Sequence, residues 1–223
     1  MSVTENFLQL KNEIPVNIQL VAVTKFQEKE QIMQVYNTGH KIFGENKVQE
    51  IIRKNEQLPD DIHWHMIGHL QTNKVKYIAP FISMIHSVDS IKLLSEINKQ
   101  ALKSNRVIDC LLQFHIATEE TKFGLDLNEA EEILKSDEFK KFKSIRICGI
   151  MGMASFSDDL QLVRKEFKTL THIYNVLKDG FFKDNSDFQH ISMGMTNDYH
   201  IAIEEGSTML RIGSRIFFEK DKT

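Results

Sequence analysis

Eight short apolar runs, many rich in β-branched residues, recur along this chain with helix-patterned stretches between them, and no other feature constrains the fold as much. The runs lie at residues 19–23, 41–43, 64–67, 84–86, 107–116, 145–151, 189–192 and 209–212. Between them, helical periodicity predicts helices over 30–38, 47–55, 72–78, 90–104, 128–135, 159–177 and 197–205, with a short first helix before Leu20. Caps agree with this reading: Asn128 precedes the acidic turn Glu129, Glu131, Glu132, and Gly39, Gly180 and Gly206 follow helix ends. Strands that are apolar on both faces and alternate with helices belong to a parallel sheet covered on each side. Eight such units in 223 residues fit a single (β/α)8 TIM barrel, a fold of about 250 residues that can approach 200. An open doubly wound sheet is the competing arrangement. Against it, no Gly-x-Gly-x-x-Gly follows the first strand.

The chain reads as one domain over residues 1–223, since no Pro- or Gly-rich linker interrupts it. A net charge of -3 leaves no basic footprint for nucleic acid, and the lysines between Lys135 and Lys143 are diluted by Asp137 and Glu138. No apolar stretch approaches the roughly 18 residues of a membrane span, and the N-terminal residues lack the pattern of a signal peptide, so a cytoplasmic protein is expected. Cys110 and Cys148 fall in apolar runs without a Cys-x-x-Cys spacing, as buried reduced thiols do.

In a barrel of this kind the loops after the strands build the site, and here those loops are polar or glycine-rich. Lys25 follows the first run directly, in Leu-Val-Ala-Val-Thr-Lys. A lysine at an apolar strand's mouth is expected to lose hydration, which favours the neutral amine and its attack on a carbonyl to form an imine. Asn46 follows the second strand. Ser192, Met193 and Gly194 follow the seventh, and Gly213 and Ser214 the eighth. Barrels often bind phosphate after strands seven and eight, so a lysine facing Ser192, Gly194, Gly213 and Ser214 suits a carbonyl compound with a phosphate tail, for which pyridoxal phosphate is the natural candidate. Arg211 lies within the last strand, where a guanidinium requires a partner. It would donate to a pyridine nitrogen, keep that nitrogen neutral and weaken the ring as an electron sink. Met151, Met153, Met193 and Met195 are expected to form an apolar wall against a flat ring. His63 and His65 share a face of the third strand, but a metal site is disfavoured by their place in the strand order. One packed and one hydrogen-bonded histidine near Trp64 is the preferred reading.

These residues fall within blocks that resemble the YggS/PROSC family of pyridoxal-phosphate-binding proteins. The blocks run in order as Leu-Val-Ala-Val-Thr-Lys (20–25), Phe-Gly-Glu-Asn-Lys-Val-Gln-Glu (43–50), Trp-His-Met-Ile-Gly-His-Leu-Gln-Thr-Asn-Lys-Val-Lys (64–76), Gly-Ile-Met-Gly-Met-Ala (149–154), Ser-Met-Gly-Met-Thr-Asn-Asp (192–198) and Glu-Gly-Ser-Thr-Met-Leu-Arg-Ile-Gly-Ser (205–214). The resemblance implies a barrel of the alanine-racemase N-terminal type (fold type III), without a second β domain, and a Schiff base between pyridoxal 5'-phosphate and Lys25. It places Ser192, Gly213 and Ser214 by the phosphate, Arg211 at the pyridine nitrogen and Asn46 beside the ring. It also implies a carrier or regulator in vitamin B6 homeostasis, with apo pyridoxal-phosphate enzymes as recipients and no established turnover, and a barrel without a second domain is expected to be a monomer. A racemase-like enzyme on the same barrel is the alternative, and a metal-dependent barrel hydrolase a more distant one. The chain departs from the family pattern at Arg215, where a small residue is common, and at Phe218, where glycine is usual.

Overall fold

The computed structural model describes residues 2–118 and 123–217. Its eight strands are β1 (Gln19–Val23), β2 (Ile42–Glu45), β3 (His63–Met66), β4 (Met84–Val88), β5 (Ile108–Phe114), β6 (Ile145–Gly152), β7 (His190–Ser192) and β8 (Met209–Ile212). They pair in sequence order, all parallel, and β1 pairs with β8 to close a barrel. Outside it lie α1 (Val3–Glu13), α2 (Lys29–Tyr36), α3 (Val48–Asn55), α4 (Val75–Ile78), α5 (Ile91–Lys103), α6 (Leu127–Lys135), α7 (Leu160–Phe181), α8 (Tyr199–Glu204) and α9 (Ser214–Phe217). The expected (β/α)8 architecture and all eight strands are present.

Strand alternation separates two apolar sets. Leu20, Ala22, Leu210 and Ile212 face outward and join the helices in the main core, while Val21, Met84, Leu111, Cys148, Met151 and Met209 fill the barrel. Cys148 and Met151 share the inner face despite a spacing of three, and a bulge explains it. Opposite the consecutive residues Cys110 and Leu111, β6 places Ile147 and Gly149, so one extra residue shifts the alternation. Gly149 sits there at φ 151°, and a Cβ would lie 1.9 Å from the His190 carbonyl oxygen. Only glycine fits. Cys110 and Cys148 are free, buried thiols, as expected; burial pushes Cys110 well above the usual thiol range and Cys148 up to about 12, so neither is a thiolate at neutral pH.

The first helix is a full 11 residues, begun by a capping box between Ser2 and Glu5 and anchored by buried Val3, Phe7 and Leu10. Arg215 explains part of its placement: the guanidinium bonds both Glu13 carboxylate oxygens (2.8 and 2.6 Å) and the Tyr199 hydroxyl, tying α1 to the segment after β8. Phe218 lies outside the described residues. No helix among the described residues is long and apolar enough to cross a membrane.

Candidate functional site

Lys25 leaves the barrel at the junction of β1 with its neighbours on either side. Val21 is level with Arg211 of β8, Val23 with Gly44 of β2, and a Cβ on Gly213 would lie 2.9 Å from the Val23 carbonyl oxygen. Lys25 and Ser214 therefore emerge close to one another at the C-terminal rim. Lys25 is exposed, which corrects the expectation that the strand mouth desolvates it, and Phe26 after it has a positive φ of 66°. Asn46 is likewise exposed at the end of β2. Its loop lies against the next one, since a Cβ on Gly68 would come 2.4 Å from the Asn46 carbonyl oxygen.

Arg211 is 4% exposed and points inward. Its Nη1 donates to Ser192 Oγ at 2.6 Å and its Nη2 to the Gly152 carbonyl oxygen at 3.0 Å, both neutral acceptors. Burial lowers the guanidinium to about 10, opposed by the charge of Asp198, so it stays a cation at neutral pH. Behind Ser192 the chain of contacts continues: His86 Nδ1 lies 3.1 Å from Ser192 Oγ, and His86 Nε2 lies 2.9 Å from His65 Nδ1. Burial, the largest cause, holds His65 down at about 3 and His86 well below its ordinary range, with neighbouring histidines adding to it for both and the Arg211 charge for His86. Two neutral imidazoles and a hydroxyl satisfy every contact when protons run one way. Ser192 O–H then donates to His86 Nδ1, and His86 Nε2–H donates to His65 Nδ1, which leaves Ser192 Oγ free to accept from Arg211.

This network places three of the expected residues. Ser192 is fully buried, and its hydroxyl contacts His86 and accepts from Arg211. Met193, one residue later, is turned outward by strand alternation into the main core, so its side chain is not part of a wall around a ring; Met151 and Met153 do belong to the interior set. His65 is the hydrogen-bonded histidine expected of the pair, buried and at the far end of the chain leading to Arg211, while His63 is exposed and not packed. His86 joins the site from β4, and its place two residues beyond the inward-facing Met84 marks it as an interior side chain.

At the rim, Ser214 Oγ donates to Thr196 Oγ1 at 3.0 Å, which brings the loops after β7 and β8 together as expected and adds Thr196 to the candidates. Gly194 is required by the turn: φ is 97°, and a Cβ would clash with Ala202 Cβ at 2.6 Å and Leu210 Cδ2 at 2.7 Å. The glycines here thus allow close packing of the loops on the barrel itself.

Residues 2–221 match the family of the alanine racemase N-terminal domain. Over 202 residues the chain is 38% identical to the pyridoxal phosphate homeostasis protein of Aquifex aeolicus, covering 90% of this chain and 86% of that one. It is 30% identical to the protein of the same name from Pasteurella multocida, covering 99% of each. The structure of PipY from Synechococcus elongatus, solved with pyridoxal phosphate bound, superposes with a TM-score of 0.86 at 28% identity, covering 97% of this chain and all of that one. A closed eight-stranded barrel with Lys25, Arg211 and Ser214 around one mouth thus has relatives over nearly its whole length, and the chain belongs to the pyridoxal phosphate homeostasis proteins of the alanine racemase N-terminal domain family.

Proposed function

We propose that this protein binds pyridoxal 5'-phosphate, attaches it covalently through Lys25, and acts in vitamin B6 homeostasis as a carrier or regulator that supplies apo-enzymes without turning over a substrate of its own. The observation that carries the reading is Arg211. It is a buried cation whose hydrogen bonds among the described residues reach only neutral acceptors, so an acceptor on a bound molecule would complete its donor set. Bound, the cofactor supplies an aldehyde that condenses with an amine and a pyridine ring that can draw electrons from the attached group. Lys25 would provide the amine, losing one water as its Nζ bonds the aldehyde carbon. Ser214, Thr196 and the backbone beside Gly213 would hold the phosphate, and Met151 and Met153 would pack against the ring. Arg211, charged and permanently a donor, would keep the pyridine nitrogen unprotonated, which weakens the withdrawal of electrons that racemisation requires.

Borohydride reduction of the loaded protein, followed by peptide mapping, tests the attachment. The label is expected on Lys25, and Lys25→Ala should lose both label and visible absorbance. A label on Lys74 or Lys76 would refute the assignment. Incubation with L-alanine in deuterated water tests the absence of turnover; sustained racemisation or α-deuterium exchange that disappears in Lys25→Ala would make the protein an enzyme.

A further inference from the structure

Behind Lys25 lies a buried ion pair that the cofactor reading leaves without a role. Lys54 on α3 is 2% exposed and Glu45 at the end of β2 is 1% exposed. The Lys54 ammonium bonds Glu45 Oε1 at 2.5 Å and also donates to the Thr24 carbonyl oxygen at 2.8 Å. Thr24, fully buried and next to Lys25 in sequence, is held at every polar group. Its hydroxyl donates to Glu45 Oε1 at 2.7 Å, its N–H donates to the Gly44 carbonyl oxygen at 2.9 Å, and its carbonyl accepts from both Lys54 and the Gln27 amide, the latter at 2.9 Å. Beyond this anchor the backbone enters an unfavourable conformation. Phe26 has φ 66°, a conformation unfavourable for a bulky L-residue, and its ring is 85% exposed, so burial of the ring does not offset the cost.

A paired charge in an apolar layer is a poor source of stability, because desolvation opposes the attraction and apolar residues of like volume often serve as well. What this pair provides is position: two bonds to the residue before Lys25, one from each partner, on a turn that would otherwise relax. We propose that Lys54 and Glu45 form a clamp on Thr24 that fixes the direction in which Lys25 leaves β1, and so sets how readily its amine reaches a bound aldehyde. The proposal rests on the reading that Lys25 is the attachment residue. Lys54, Glu45 and Thr24 are positioning residues in it, and only Lys25 touches the ligand.

The test compares the full-length protein with Lys54→Met/Glu45→Leu, which removes both charges at similar volume and leaves Thr24 its bonds to Gly44 and Gln27. Two ligands are used: pyridoxal 5'-phosphate, which can bond an amine, and pyridoxine 5'-phosphate, which carries an alcohol in place of the aldehyde. In the double variant, covalent attachment of the aldehyde should fall by about tenfold or more, as expected for a displaced reacting group. Affinity for the alcohol should stay within about twofold. Hydrogen exchange of the ligand-free protein should accelerate across residues 25–27 and not in β1. Parallel loss of both ligands would show that the pair merely holds the pocket together and would overturn the clamp; unchanged attachment, or unchanged exchange at 25–27, would overturn it too. If the wild-type protein is labelled at another lysine, the assignment of Lys25 fails separately, and the exchange measurement alone then decides whether the clamp orders this turn.

Discussion

Two cations are buried among the described residues, Lys54 and Arg211, and they are treated in opposite ways. Lys54, on the β1–β2 side, has a carboxylate against it and a backbone carbonyl beside it. Arg211, on β8, has a serine hydroxyl and a carbonyl, with two neutral histidines behind them. A cation already neutralised within the protein has little left to offer a ligand, whereas one hydrogen-bonded to neutral acceptors, with Asp198 acting on it only as a charge, keeps donors available in a medium where charge acts strongly. Burial alone therefore does not mark a functional charge. The partner does.

The largest expected effect tests that difference directly. Lys54→Met leaves Glu45 buried without its cation and should destabilise the ligand-free protein by about 3–5 kcal/mol, most of it recovered in Lys54→Met/Glu45→Leu. Arg211→Met, at similar burial, strands no carboxylate and should lose no more than about 2 kcal/mol. Urea unfolding of the ligand-free variants measures both. Equal losses for the two single variants would erase the distinction between a structural and a ligand-directed cation.

Acid tests the Arg211 side next. His65, on the Arg211 side, is held at about 3, and His40 is held at about 4, burial being the main cause for both. An unfolded histidine takes up its proton near pH 6.5, well before these folded ones do. Stability from them is therefore complete above about pH 6.5 and is lost as the pH falls toward 4, each group contributing up to about 1.4 kcal/mol per pH unit. His65→Met should make the decline measured by urea unfolding between pH 6.5 and 4 shallower by about one proton. An unchanged slope would mean that His65 already binds a proton in the native protein, and the one-way chain to Arg211 would be wrong.

Much of this molecule could be read from its residues. Apolar runs alternating with helical stretches specify the barrel because each strand must bury both faces, and the segment after a strand is the part left open to solvent. The place of Lys25, Asn46, Gly213 and Ser214 just beyond strand ends is legible for that reason. The buried network was not, because it depends on which strands face one another across the interior: His65, His86, Ser192 and Arg211 sit on four strands and meet only when the barrel closes. A local sign of the clamp was available. Lys54 continues the three-residue spacing of the buried Val48 and Ile51 on α3, a polar residue in a position that otherwise calls for an apolar one. Parity places the Met193 side chain: its neighbour Ser192 faces inward, so Met193 faces the main core.

The smallest expected effect distinguishes the two serines. Ser214 is exposed at the rim beside Thr196, and Ser192 is fully buried beneath Arg211. Removing the Ser214 hydroxyl leaves no buried group unpaired, so the melting temperature of ligand-free Ser214→Ala should match the wild type. If this hydroxyl donates to phosphate, affinity for pyridoxal 5'-phosphate should fall about tenfold, the lower end of a charge-assisted hydrogen bond, with no change for pyridoxal, which lacks the phosphate. Ser192→Ala should do the reverse. His86 loses its donor and Arg211 an acceptor, so stability should fall by about 1–3 kcal/mol, and binding of the two aldehydes should weaken alike because the change acts on the ring's partner. Titration of both variants with both aldehydes reads the difference. A phosphate-selective loss in Ser192→Ala would return that serine to the phosphate pocket, and would mean that its hydroxyl leaves Arg211 when the ligand binds.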